Sequence, residues 1–134
     1  MILVFGGAYQ GKTEYAQCLC GAAAGKTDNT DNTADICDLS DGGEPDFTKK
    51  IITGLDAFAL RCVHEGISPA DYFRERREQW EHCVLVATDI SQGVVPIDKT
   101  LRAAREANGR LLIYLAEEAE QVHRVFCGIG KRIK

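Results

Sequence analysis

The first apolar positions form a short continuous run, Ile2–Phe5, which is typical of a strand buried on both faces. A glycine-rich segment follows directly, and apolar residues then recur at helical spacing over Tyr15–Ala23. We therefore predict a strand, a loop and a helix, with Gly25 as the left-handed end of the helix. Residues 26–45 are rich in turn formers, which predicts an exposed loop.

Apolar positions in the next segment, Phe47–Cys62, also recur at helical spacing. This pattern predicts one amphipathic helix with Asp46 as its N-cap and Gly66 just beyond its end. Ser68 and Pro69 supply an N-cap and a first helical residue, so a further helix is predicted to begin there and to end near Glu81.

The second half of the chain begins with a continuous apolar run, Cys83–Thr88, which predicts a buried parallel strand. Residues 96–98 introduce a long helix, and two strands are predicted after it, at 122–127 and 129–133. This order predicts an α/β fold with a mostly parallel sheet flanked by helices. No repeat or linker divides the sequence, so we interpret residues 1–134 as a single domain.

The glycine-rich segment after the first strand fits G-x-x-x-x-G-K-[ST], the pattern of a phosphate-binding loop, in the strand-to-helix context that it requires. Glycines let the backbone amides at a helix N-terminus approach phosphate oxygens. Lys12 is predicted to reach the β- and γ-phosphates, and Thr13 to ligate Mg²⁺. The chain is therefore expected to bind Mg²⁺ with ATP or GTP. The predicted nucleotide-binding residues are Gly6, Gly7, Ala8, Tyr9, Gln10, Gly11, Lys12 and Thr13.

A second metal ligand in phosphate-loop proteins is usually an acid at the end of a neighbouring apolar strand. Asp89 follows the predicted strand Cys83–Thr88, and we predict that it positions metal or water and acts in catalysis together with Lys12. The alternative is that Asp89 only caps the turn after the strand. Asp56 and Asp38 are further, weaker candidates for the metal.

Composition narrows the expected partners and location. The formal net charge is -4, which gives no basic surface for nucleic acid. No apolar run approaches membrane-spanning length, and the first one lacks the basic flank of a signal peptide. The six cysteines have no C-x-x-C spacing and are expected to be reduced and mostly buried. We therefore predict a cytoplasmic protein that binds neither nucleic acid nor membranes.

Three stretches carry a family resemblance: 1–13 with its Gly-Gly-Ala, 86–96 with its Gly-Val-Val-Pro, and the terminal Cys-Gly-Ile-Gly-Lys-Arg-Ile-Lys of 127–134. Together with the spacing between them, they resemble the adenosylcobinamide kinase / adenosylcobinamide-phosphate guanylyltransferase family of cobalamin biosynthesis. The resemblance implies a RecA-like P-loop NTPase fold, often trimeric. It also implies ATP- or GTP-dependent phosphorylation of a corrinoid hydroxyl, followed by GMP transfer through a guanylylated histidine.

The chain departs from that family where the resemblance places the nucleophilic histidine, since no histidine precedes His64. Residues 51–54 lack the family's strand-end acid, and apolar residues at 112–114 replace polar ones. We therefore expect a kinase that forms no guanylyl-histidine, with His64 as a helix-end residue. A non-catalytic homologue that binds a nucleotide or a corrinoid is the alternative.

Overall fold

A computed structural model describes residues 1–23 and 35–134 of the chain. In these two ranges the strands are β1 (Ile2–Gly6), β2 (Ile36–Asp38), β3 (Ile51–Thr53), β4 (Val84–Thr88), β5 (Gln121–Phe126) and β6 (Ile129–Arg132). The helices are α1 (Lys12–Ala23), α2 (Leu55–Glu65), α3 (Pro69–Glu75), α4 (Arg77–Trp80) and α5 (Lys99–Glu118).

The described strands form one six-stranded sheet in the order β2-β3-β4-β1-β5-β6. All neighbouring pairs are parallel except β5 and β6, which form an antiparallel hairpin. The carboxyl ends of β1 and β4 meet, since Gly6 lies opposite Thr88. The predicted α/β fold, with a mostly parallel sheet flanked by helices, is confirmed.

Alternate residues of the central strands supply the two sides of the core. Leu3 on β1 faces α2 and α5 and packs in a cluster with Phe58 and Leu111. The next residue, Val4, belongs to the opposite cluster with Ala16 of α1. This period of two is what a strand buried on both faces requires, and it explains the continuous apolar run in the sequence.

The predicted helix over Phe47–Cys62 is wrong in its first part. Ile51–Thr53 is a fully buried strand, and Asp46 caps no helix there. Its Oδ1 instead accepts hydrogen bonds from the amide (3.0 Å) and hydroxyl (2.6 Å) of Thr48. Two β-branched isoleucines and a threonine suit a strand, and pairing with β2 and β4 overrides the helical spacing. The helix α2 begins only after Gly54, and its predicted end at Gly66 is confirmed.

The predicted loop over 26–45 is also corrected in its described part, because β2 lies within it. Leu39, just after β2, is completely buried and its amide donates to the Thr53 carbonyl at 3.0 Å. The earlier part of that loop and the predicted helix end at Gly25 lie outside the described residues.

The helix predicted from Ser68 begins as expected, since the Ser68 hydroxyl accepts from the Asp71 amide at 3.3 Å. It is interrupted at Arg76, before the predicted end. At the break the Phe73 carbonyl accepts from the Arg76 amide at 3.2 Å and from the Trp80 indole at 2.7 Å. A continuous helix would use that carbonyl for the backbone amide four residues later. The later helix α5 begins after Asp98, whose carboxylate accepts from the Leu101 amide at 3.0 Å.

The cysteines only partly match their prediction. All six are free thiols, but only Cys62 and Cys83 are buried, whereas Cys18 and Cys127 are exposed. The prediction that most of them are buried is therefore wrong. Burial raises the pKa of Cys62 and of Cys83 to about 11, so these two thiols stay protonated and unreactive at neutral pH.

Replacing Gly54 by alanine is expected to destabilise the fold more than replacing Gly66. Both residues have positive φ, 76° and 70°, so both changes carry the left-handed penalty of about 1–2 kcal/mol. A Cβ at Gly54 would also lie 2.7 Å from the Ser40 amide nitrogen, whereas one at Gly66 would meet nothing within 4 Å. Chemical denaturation should show an additional loss of about 1–3 kcal/mol for Gly54→Ala. Equal losses would contradict the close approach of α2 to the end of β2.

Candidate functional site

The glycine-rich loop lies between the carboxyl end of β1 and the first residue of α1, as the sequence predicts. Its first residue, Gly6, is buried between β4 and β5. A Cβ at this position would lie 2.3 Å from the Val125 carbonyl oxygen. Only glycine therefore lets β1 pair with β5 and turn into the loop at this point.

The middle of the loop is held by the turn between β5 and β6. The Gln10 carbonyl accepts from the Gly128 amide at 2.9 Å, and the Gln10 side-chain oxygen accepts from the Cys127 amide at 2.5 Å. Tyr9 and Gly11 adopt positive φ of 56° and 80°, and the Tyr9 side chain is fully exposed. The loop backbone is thus fixed through one glutamine.

Lys12 is the buried charge of the site. Its side chain is 9% exposed, and its Nζ donates to the Gly7 carbonyl at 2.6 Å, inside the loop. Burial lowers the pKa of the Lys12 ammonium, and the negative charges of Asp56 and Glu14 oppose that shift. An ammonium that is poorly hydrated and satisfied by one backbone carbonyl is suited to receive anionic oxygens.

Asp89 lies beside the start of the loop, because its amide donates to the Gly6 carbonyl at 2.9 Å. Its carboxylate oxygen Oδ1 accepts from the Ser91 amide at 2.9 Å and from the Ser91 hydroxyl. Both roles considered from the sequence are therefore compatible with its position. The strand carries Asp89 to the loop, and one of its oxygens caps the following turn.

Two further acids follow the neighbouring strands. Asp38 ends β2, and its Oδ1 accepts from the Ser40 hydroxyl at 2.6 Å and the Thr53 hydroxyl at 3.2 Å. These bonds, with one from the Ser40 amide, lower the pKa of Asp38. Asp56 lies in the first turn of α2, directly after β3, and is the strongest attractive charge on Lys12. From the sequence alone Asp56 ranks below Asp89, and no local sequence pattern predicts the interaction of Asp56 with Lys12.

The structure describes all three histidines of the chain. His82 is exposed just before β4, at the opposite edge of the sheet from the loop. His64 is exposed near the end of α2, two turns beyond Asp56, or about 12 Å along the axis. His123 is buried in β5, with Nδ1 2.9 Å from the Tyr15 hydroxyl and Nε2 3.1 Å from the Gln121 side-chain oxygen.

A cavity of about 290 Å³ lies on the other face of the sheet, between β1 and α5. Sequence reasoning missed it. The available signal was Asn108, a polar residue within the apolar stripe of α5, which is buried in the structure. The lining residues are Leu3, Phe5, Asp89, Ser91, Arg105, Asn108, Gly109, Leu112, Ile113 and Ala116.

Among the residues that the structure describes, no helix is long and apolar enough to cross a membrane. In the same ranges, no group of three or more His, Cys, Asp or Glu side chains is arranged to hold a metal ion. Comparison of the sequence with models of known protein families finds no match, and neither does comparison with curated proteins.

Gln10→Ala is expected to loosen the glycine-rich loop without unfolding the protein. The change removes the bond from the Cys127 amide, worth about 0.5–1.5 kcal/mol, so hydrogen exchange at residues 7–11 should become faster. Hydrogen–deuterium exchange followed by mass spectrometry measures this directly. Tyr9→Asn is the matched control, since asparagine tolerates positive φ and the Tyr9 side chain is fully exposed. Equal acceleration in both variants would contradict the anchoring role of Gln10.

His123 is expected to make folding stability depend on pH. Burial, assisted by the positive charge of Arg132, lowers its pKa from 6.5, so the unfolded chain binds a proton more readily than the folded protein. Stability from this residue is therefore complete above pH 6.5 and is lost as the pH falls toward the folded pKa. Urea unfolding between about pH 7.5 and 5.5 should show a smaller decline in His123→Gln than in the wild type. Identical declines would contradict the prediction.

Proposed function

We propose that the protein binds ATP or GTP with Mg²⁺ and transfers the terminal phosphoryl group to a hydroxyl, as a kinase of the adenosylcobinamide kinase type. The observation that carries the proposal is the buried Lys12 ammonium, which lies inside a glycine loop at the N-terminus of α1. Backbone amides, a helix N-terminus and a desolvated ammonium are the groups that bind a triphosphate. The central position of β1 in a parallel sheet supports a RecA-like P-loop fold.

In the proposed reaction Lys12 exchanges the Gly7 carbonyl for β- and γ-phosphate oxygens. Mg²⁺ supplies charge neutralisation when bound, with the Thr13 hydroxyl, one acid, phosphates and water as ligands. The acceptor hydroxyl oxygen forms a bond to the γ-phosphorus as the bond to the β-γ bridging oxygen breaks, so the nucleoside diphosphate leaves and the hydroxyl proton passes to solvent. Asp89 would hold the metal or orient the acceptor at the loop.

Asp56 is a second candidate for the acidic metal ligand, because it interacts electrostatically with Lys12 and follows the strand next to β4. Asp89 has one carboxylate oxygen occupied by Ser91, which leaves the other for metal or water. We therefore treat Asp89 and Asp56 as alternative acidic ligands of the metal and distinguish them by mutation.

A guanylyl-histidine step is not part of the proposal. His64 is about 12 Å along α2 from Asp56, and the buried His123 ring bonds to Tyr15 and Gln121. A corrinoid acceptor, a trimeric assembly and a cytoplasmic location follow from the resemblance and the free thiols, and they are proposed on that basis.

A non-catalytic nucleotide-binding role is the second candidate function. It is favoured by the Asp89 carboxylate, because its bonds to Ser91 are those of a turn cap and need no metal. Incubation with ATP or GTP, Mg²⁺ and adenosylcobinamide, followed by mass spectrometry of the corrinoid, separates the two functions. A corrinoid that gains a phosphate supports the kinase, whereas bound nucleotide without product supports the second function.

Lys12→Ala is expected to weaken nucleotide binding by roughly tenfold to a hundredfold, the value of a charge-assisted hydrogen bond of about 1.5–3 kcal/mol. Titration calorimetry with ATP and GTP measures the loss. Lys99→Ala, which removes an exposed lysine at the start of α5, is the charge-matched control. Unchanged affinity in Lys12→Ala would exclude the loop as the nucleotide site.

The two acids are compared in the same assay by changing each to asparagine. The variant that removes the metal ligand should still bind nucleotide but lose most of the gain in affinity that Mg²⁺ gives the wild type. If Asp56→Asn and Asp89→Asn both retain the full Mg²⁺ effect, neither carboxylate holds the metal.

A further inference from the structure

The cavity between β1 and α5 adjoins the phosphate loop. Leu3 and Phe5 form part of its wall and belong to the strand that leads into the loop. Asp89 also lines the cavity, and its amide is bonded to the first loop glycine, Gly6. A molecule in the cavity would therefore lie next to the end of β1 at which a triphosphate is proposed to bind.

Asn108 lines the cavity, and the hydrogen bonding of its side chain is incomplete. Asn108 is 1% exposed, and its side-chain nitrogen donates to the Thr88 carbonyl at 3.0 Å. Its side-chain oxygen Oδ1 is buried and has no hydrogen-bond partner among the described residues. A buried acceptor without a donor is unfavourable, so a ligand that brings an N–H or O–H group to it gains more than one that does not.

The remaining polar residues of the wall indicate a neutral ligand. Asp89 and Arg105 carry opposite charges, and both bond to Ser91. The Asp89 carboxylate accepts from the Ser91 amide, and the Arg105 guanidinium donates to the Ser91 carbonyl. These two charges cancel over the cavity wall, which favours a ligand without net charge. The rest of the lining is mainly apolar, which favours an apolar body.

We propose that this cavity binds the acceptor of the phosphoryl group, and that the bound part of the acceptor is a neutral, mostly apolar alcohol or amide whose hydrogen-bond donor reaches Asn108. The role of the bound molecule as phosphoryl acceptor rests on the proposed kinase function, whereas the ligand site in the cavity does not. A volume of about 290 Å³ lies at the small end of ligand pockets, so it holds a small molecule or one arm of a larger one.

The test compares two ligands that differ only in their donor, cyclohexanol and its methyl ether. Binding is followed by chemical shifts of the backbone amide of Gly109 and the side-chain amide of Asn108. The alcohol should bind the wild type about threefold to tenfold more tightly than the ether, the range expected for one hydrogen bond. Asn108→Leu should bind both compounds equally. An ether that binds the wild type as tightly as the alcohol overturns the assignment of Asn108.

A second variant covers the case in which Asn108→Leu does not fold. Gly109 lines the cavity, and a Cβ added there would meet no atom within 4 Å, so Gly109→Leu fits the helix and narrows the cavity. This variant should lose alcohol binding at least threefold, and unchanged binding would exclude the cavity as the site. A cyclohexanol that carries a long polyether chain distinguishes a free small molecule from one arm of a larger molecule as the occupant of the cavity. This compound binds only if an arm of a larger molecule can enter.

Calorimetry with ATP and GTP on the same wild-type sample separates this inference from the proposed function. Nucleotide binding without alcohol binding would overturn the cavity inference and leave the kinase proposal standing. Alcohol binding without nucleotide binding would overturn the kinase proposal and leave the cavity inference standing, because the cavity would remain a ligand site with no phosphoryl donor beside it.

Discussion

The close approach of β1 and β5 at Gly6 is the constraint on which the rest of the site depends. A Cβ at this position would lie 2.3 Å from the Val125 carbonyl oxygen. The backbone can therefore turn out of the sheet here only because glycine has no Cβ. The Gly6 carbonyl then accepts from the Asp89 amide, while the hairpin turn after β5 bonds to Gln10. Strands that are distant in sequence therefore hold the loop from both sides.

That arrangement explains why a lysine can be buried there. Burial lowers the pKa of the Lys12 ammonium, whereas the negative charges of Asp56 and Glu14 oppose that shift and one loop carbonyl accepts its hydrogen bond. Since a partly desolvated cation interacts strongly with added negative charge, the loop favours an anionic ligand. The acids that follow β2, β3 and β4 approach the same edge because the strands are parallel.

The sequence predicts the parts of this arrangement that local patterns encode. The strand β4, the cap Ser68, the helix α5 and the glycine loop are predicted from apolar runs, a cap residue and a spaced motif. The strands β2 and β3 are missed, because each has three residues and Ile51–Thr53 also fits a helical period. Only pairing with β4 decides between the two periods.

The predicted site is incomplete for the same reason. Lys12 and Asp56 interact electrostatically from different elements, and Tyr15 bonds to His123 across 108 positions, so neither interaction follows from residue spacing. The cavity required the packing of α5 on β1, for which Asn108 was the only sign in the sequence.

Asn108 links α5 to the end of β4. Its side-chain nitrogen donates to the carbonyl of Thr88, and Thr88 lies opposite Gly6 and precedes Asp89. The glycine-rich loop leads into α1 on one face of the sheet, while the cavity lies against α5 on the other, and both adjoin this carboxyl edge. Ligands of open parallel sheets bind at that edge because there alone loops from both faces converge.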